Sequence, residues 1–93
     1  MVYRTFLQKW QVEQINTALL SKKIKEIAVD LCIEEKICSR SAAYVALEPE
    51  TYDSTKCIHR CALDAAVRLL CIHGVNFDWL DDIHNATLSR AVA

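Results

Sequence analysis

Apolar positions recur at helical spacing over most of this chain. From about Thr5 to Leu20, Phe6, Leu7, Trp10, Ile15, Ala18 and Leu19 fall broadly on one side, with Gln8, Lys9, Glu13, Gln14 and Asn16 as the polar remainder. Thr5 is a candidate N-cap, and both rings are expected in the core. A second segment runs from about Lys22 to Glu35. Its Ile24, Ile27, Ala28, Leu31 and Cys32 follow the i, i+3, i+4, i+7, i+8 pattern of an amphipathic helix, with Ser21 as the expected N-cap. Val29 and Ile33 lie on another face, which calls for burial on two sides or for a partner. A third segment runs from about Thr55 to His73, capped by Asp53 or Ser54. There Ile58, Ala62, Ala65, Leu69 and Ile72 form one stripe, widened by Leu63, Ala66, Val67 and Leu70. Its narrow polar strip, Arg60, Asp64 and Arg68, has the spacing of intrahelical ion pairs. This should be the central, most buried helix. Gly74 stands where a left-handed residue would end it, with Val75 as the apolar follow-on. A fourth segment starts near Asn76 or Asp78 and reaches about Arg90. Asp78, Asp81 and Asp82 lie in its first turns, where the helix dipole favours negative charge. Leu80, Ile83 and Thr87 share one of its faces.

One stretch resists this reading. After Glu34-Glu35-Lys36, Ser39-Arg40-Ser41 looks like a turn and Ala42 to Glu48 is mostly apolar. Pro49 pushes Glu48 toward extended backbone. Alternation would put Ala42, Tyr44 and Ala46 on one side of a strand, with Ala43, Val45 and Leu47 on the other. The alanines equally favour a short helix. The pattern leaves both open, and a strand would need a neighbour to pair its backbone groups. Glu50 to Thr55 is a polar linker.

Composition narrows the class. A chain of 93 residues allows one small domain with a limited core, with a possible division at the linker 49–55. One Gly and one Pro leave little material for a meander of turns and favour helices. A net charge of −1 gives no basic footprint for nucleic acid. Lys22, Lys23 and Lys25 read as a solvated face. No apolar run reaches the ~20 residues of a membrane span, and the first ten residues lack the apolar core of a signal peptide. The five cysteines, an odd number, point to reduced thiols and a cytoplasmic setting.

Candidate chemistry is sparse. Cys57-Ile58-His59-Arg60-Cys61 is followed by Cys71-Ile72-His73. Cys57 and Cys61, at i and i+4, share a helix face on which a metal could sit. His59 points to the other side, and Cys71 lies roughly 20 Å along the axis. A four-ligand zinc site cannot be gathered from one straight helix. A cysteine nucleophile would need a base and an oxyanion donor that the sequence does not place. His84 lacks any acid–base partner, and the acidic group at Asp78, Asp81 and Asp82 lacks calcium-loop spacing. No catalytic residue, cofactor site or metal site is therefore assigned.

Trp10, Ile15 and Leu19, then Ala28 to Ser39 (A-V-D-L-C-I-E-E-K-I-C-S), then Ala42 to Glu48 (A-A-Y-V-A-L-E) together carry a resemblance. The stretch 10–48 resembles the helical segment that follows the von Willebrand factor type A domain in proteins combining that domain with a vault-inter-alpha-trypsin domain. Inter-alpha-trypsin inhibitor heavy chains and the vault poly(ADP-ribose) polymerase are of this kind. In that family a tryptophan–isoleucine–leucine helix precedes a second helix and a strand close to T-S-F-V-A-V-E. Here Arg40 replaces the usual turn proline, Ala42-Ala43 replaces Thr-Ser, and the gap between helices is shorter. The D-x-S-x-S metal motif of the A domain is absent, so no metal function carries over. The resemblance implies a strand at 42–48 that joins a neighbouring domain. The resulting expectation is an all-α domain of three to four helices with one short strand. It would be a non-enzymatic module docking on a protein partner or forming a homo-oligomer. The residues expected to make contact are Tyr44, Val45 and Leu47 on the strand, and Val29 and Ile33 on the second helix. The rival reading is a small metal-binding or thiol-active protein built on Cys57, His59, Cys61 and Cys71.

Overall fold

The structure, a computed structural model, describes residues 7–79. They form four helices: α1 (Lys9–Ser21), α2 (Lys25–Glu34), α3 (Arg40–Leu47) and α4 (Cys57–Ile72). Every pair of helices is in contact, and α4 packs most extensively on α3 and α2. The core is built from Val12, Ile15 and Leu19 of α1, Ala28, Val29 and Cys32 of α2, Ala43, Ala46 and Leu47 of α3, and Ala62, Leu63, Ala66, Val67 and Leu70 of α4. A fully buried aliphatic side chain of this size contributes about 1.5–3 kcal/mol. The expected Thr5 cap and the expected fourth segment beyond Trp79 lie outside the described residues.

No strand occurs among the described residues, and the expected strand at 42–48 is instead α3. Three local facts explain this. Ser39 acts as an N-cap: its Oγ accepts from the Ala42 backbone N–H at 3.3 Å. Alanine carries no helix penalty. Ala43, Ala46 and Leu47, at i, i+3 and i+4, put one buried stripe on the core. Pro49 acts as anticipated, but only on one residue. Glu48, the C-cap, is extended (φ −96°, ψ 130°) while Leu47 remains helical. The Thr51 hydroxyl then donates to the Val45 carbonyl at 2.7 Å, satisfying one of the acceptors the helix end leaves open.

Three helices end in one and the same way. Residues Lys23, Lys36 and Gly74 adopt left-handed φ of 59°, 58° and 82°. After each comes an apolar residue whose N–H reaches back across the last turn: Ile24 to Leu19 O (3.0 Å), Ile37 to Cys32 O (2.9 Å) and Val75 to Leu70 O (2.9 Å). The left-handed residues donate to Leu20, Ile33 and Cys71 carbonyls. Both bonds of the Schellman motif are therefore present at each end. Ile24 is buried, and Ile37 and Val75 pack against the core. The Gly74–Val75 stop matches the sequence reading. The sharp join between α1 and α2 comes from Lys23, so Ser21 closes α1 and does not cap α2, whose N-cap is Ile24.

Starts are less regular. Gln8 precedes α1 and its N–H donates to Gln11 Oε1 at 2.7 Å. The cap of α4 is Lys56, without a side-chain bond. Asp53, expected to cap that helix, closes the turn before it: its Oδ1 accepts from the Thr55 N–H (3.0 Å) and hydroxyl (2.6 Å).

Candidate functional site

The five residues expected to meet a partner do not share a surface. Val29 and Leu47 have no exposure and belong to the core, where α2, α3 and α4 meet. Tyr44 is half-buried, and its hydroxyl donates to Glu26 across the α2–α3 contact. Only Val45 and Ile33 are exposed. The strand reading placed Val45 and Leu47 on one side. In a helix they are two positions apart and point about 200° apart around the axis. The second apolar face of α2 is real, but it splits: Val29 turns inward and Ile33 outward.

Large apolar side chains are exposed elsewhere. Ile72 is 81% exposed, and Trp10, Leu20, Ile27 and Ile58 are about half exposed. Ile58 and Ile72 were expected in the core stripe of α4. The apolar arc of that helix exceeds what three neighbours can cover, so Ala62, Leu63, Ala66, Val67 and Leu70 take the inner positions. Trp10, expected in the core, instead meets the edge of Trp79 (ring centroids 6.3 Å apart, 82° between planes). Trp79 stacks on Phe77 at 5.0 Å and donates from Nε1 to Gln14 Oε1 at 2.8 Å. These rings hold the segment after α4 against the outside of α1.

The polar strip of α4 forms the predicted pair and extends it. Arg68 Nε donates to Asp64 Oδ2 at 3.2 Å, and the other guanidinium nitrogens grip both carboxylate oxygens of Glu35 at 3.2 and 2.7 Å. One arginine so ties α4 to the end of α2. The Asp64 side chain is almost wholly buried, and burial pushes its carboxyl up despite the arginine. Glu35 is held below the ordinary carboxylate range, chiefly by its hydrogen bonds from Arg68. Smaller clamps join α2 to α3: Lys25 to Glu48, and Arg40 to Asp30 (2.7 Å) and Glu26 (3.4 Å).

The cysteine–histidine stretch separates as its spacing predicts. The Cys57 and Cys61 sulfurs lie 3.8 Å apart on the outer side of α4. His59 is buried on the other side. Its Nδ1 accepts from the Asp53 N–H at 2.9 Å, so Nε2 carries the proton of the neutral ring. Burial, then Lys56, keeps its pKa below the ordinary value. Tyr52 lies 6.0 Å from it, centroid to centroid. His59 therefore anchors the 49–56 connection to α4. Cys71 is exposed further along the helix, and no group of three or more His, Cys, Asp or Glu converges among the described residues. Cys32 is fully buried, its thiol donating to the Ala62 carbonyl at 3.9 Å, and burial pushes its pKa up to about 12. All five cysteines are free.

The described residues define a small all-α module of four helices. No helix among the described residues is long and apolar enough to cross a membrane. Comparison with protein families, with curated proteins and with solved structures finds no match to this chain.

Proposed function

We propose that this chain is a non-enzymatic interaction module, docking on a protein partner or on a second copy of itself. The supporting observation is the set of large apolar side chains left outside a filled core, with Ile72 at 81% exposure the most extreme. Single exposed apolar residues are ordinary. Here they recur on all four helices, while the core positions beneath them are closed by small and medium side chains. Where such side chains adjoin, they offer a partner apolar surface to bury. Five unpaired thiols support a reducing setting, the cytoplasm. The resemblance to the helices after the von Willebrand A domain is compatible with a docking role. It now rests on the α1 and α2 segments, because the strand it implied is a helix.

Light scattering over a concentration series tests the reading. The expected outcome is reversible association in the micromolar to millimolar range, weakened by Ile72→Lys or Ile27→Lys with the helical circular dichroism unchanged. A chain that stays monomeric throughout and carries stoichiometric zinc, lost on Cys57→Ser, overturns it in favour of a metal protein.

A further inference from the structure

We propose that Cys57 and Cys61 form a two-sulfur site for a soft, thiophilic cation of low coordination number, of the cuprous class. Residues four apart on a helix lie one above the other, and both side chains lean toward its start. This brings the two sulfurs to 3.8 Å, with Cys57 exposed and Cys61 half-exposed. Metal–sulfur bonds of about 2.3 Å reach both sulfurs from one point roughly 1.3 Å off the line joining them, at an S–metal–S angle of roughly 110°, and rotation of the exposed Cys57 side chain widens that angle toward the one a two-coordinate ion prefers. A disulfide asks for more, since the sulfurs would have to close to about 2.05 Å and pull on the first turn of the helix.

The donor set selects the ion. Among the described residues no third His, Cys, Asp or Glu joins the pair, and His59 is turned away with Nδ1 engaged. Zinc needs about four ligands in a structural site and three in a catalytic one, so it would be under-coordinated here. Two soft thiolates favour a soft ion that accepts few ligands. Charge is also suitable. Two thiolates and one monovalent cation leave a single negative charge. Cys57 is the first residue of α4 and follows Lys56, so the positive end of a helix and a lysine lie beside the site. Without metal, one thiol donates to the other. Binding breaks two S–H bonds and forms two sulfur–copper bonds. It releases two protons and moves no electrons.

The test uses reduced protein under anaerobic conditions, titrated with cuprous ion buffered by a chromophoric chelator. One ion per chain is expected. Cys57→Ser and Cys61→Ser should each weaken binding at least about a hundredfold, and Cys71→Ser should leave it unchanged. Cys57 is exposed, so its serine variant keeps the fold, as thermal melts will show; it decides the matter alone if Cys61→Ser unfolds. Equal loss in Cys71→Ser, full binding by Cys57→Ser, zinc held as tightly as cuprous ion, or one ion shared between two chains would each overturn the proposal.

Discussion

Lys23 and Lys36 hold backbone conformations that suit glycine. A left-handed residue with a Cβ is disfavoured by roughly 1 kcal/mol, and the chain accepts this twice to obtain two sharp helix ends. What makes the conformation persist is the residue after it. Ile24 and Ile37 enter the core only if the lysine before them turns the chain. Lys23→Gly and Lys36→Gly should therefore each stabilise the fold by about 0.5–1 kcal/mol, read as a higher urea midpoint with an unchanged m-value. Gly74→Ala should move the midpoint the other way, although open space surrounds the position, because only its φ of +82° opposes a side chain. The Gly74 stop was legible because glycine advertises the conformation. The lysine stops were not, since lysine is an ordinary residue in the last turn of a helix and nothing in Lys-Ile marks a left-handed turn.

Between elements, α3 shows where pattern reading ran out. The mostly apolar run Ala42 to Glu48, with three alanines, satisfies alternation and helical spacing alike, and Pro49 constrains only Glu48. The deciding features were the Ser39 cap and the stripe Ala43, Ala46 and Leu47, and both become visible once the run is read as starting at Arg40. Burial misled in α4 for a related reason. Ile58 and Ile72 fit an apolar stripe, yet a small bundle covers only part of a helix that is apolar over most of its circumference. The Asp64–Arg68 spacing was read correctly, but its reach to Glu35 needed the tertiary fold. Arg68→Met should cost about 1–2 kcal/mol at neutral pH, because it strands a buried carboxylate while solvent screens the half-exposed guanidinium it replaces. The pH dependence follows from Asp64, whose folded pKa is raised by burial. A raised pKa means that the protonated form is preferred in the folded state. Its stabilisation is complete below the unfolded value of about 3.9 and is lost as pH rises through the folded one. Removing Arg68 enlarges that shift, so the deficit of the variant should be greatest near pH 7 and shrink on acidification toward pH 4. A deficit independent of pH would show that Arg68 acts through its aliphatic packing alone.

At the scale of the whole molecule, the cysteines grade from sealed to open and so report different motions. Cys32 sits where α2 meets α4, with no exposure and a thiol pushed up to about 12; Cys57 and Cys71 face solvent. Reaction with a disulfide reagent requires thiolate and access together. Cys57 and Cys71 are open to the reagent and should react without unfolding, whereas Cys32 should wait for global unfolding. A domain of this size, stable by about 5 kcal/mol, spends on the order of one part in several thousand unfolded. Labelling of Cys32 at pH 8 should accordingly be slowed at least about a thousandfold relative to the unfolded chain, and should accelerate with urea along the same slope as the equilibrium transition. If Cys32 instead labels with a shallow urea dependence, the α2–α4 contact opens locally while the rest stays folded. The same measurement would then locate the weak seam of the bundle at the helix whose Ile27 and Ile33 lie exposed. Docking of a partner or a second copy over that helix should slow Cys32 labelling in proportion to occupancy, and a solvated α2 surface would leave the rate unchanged at every concentration.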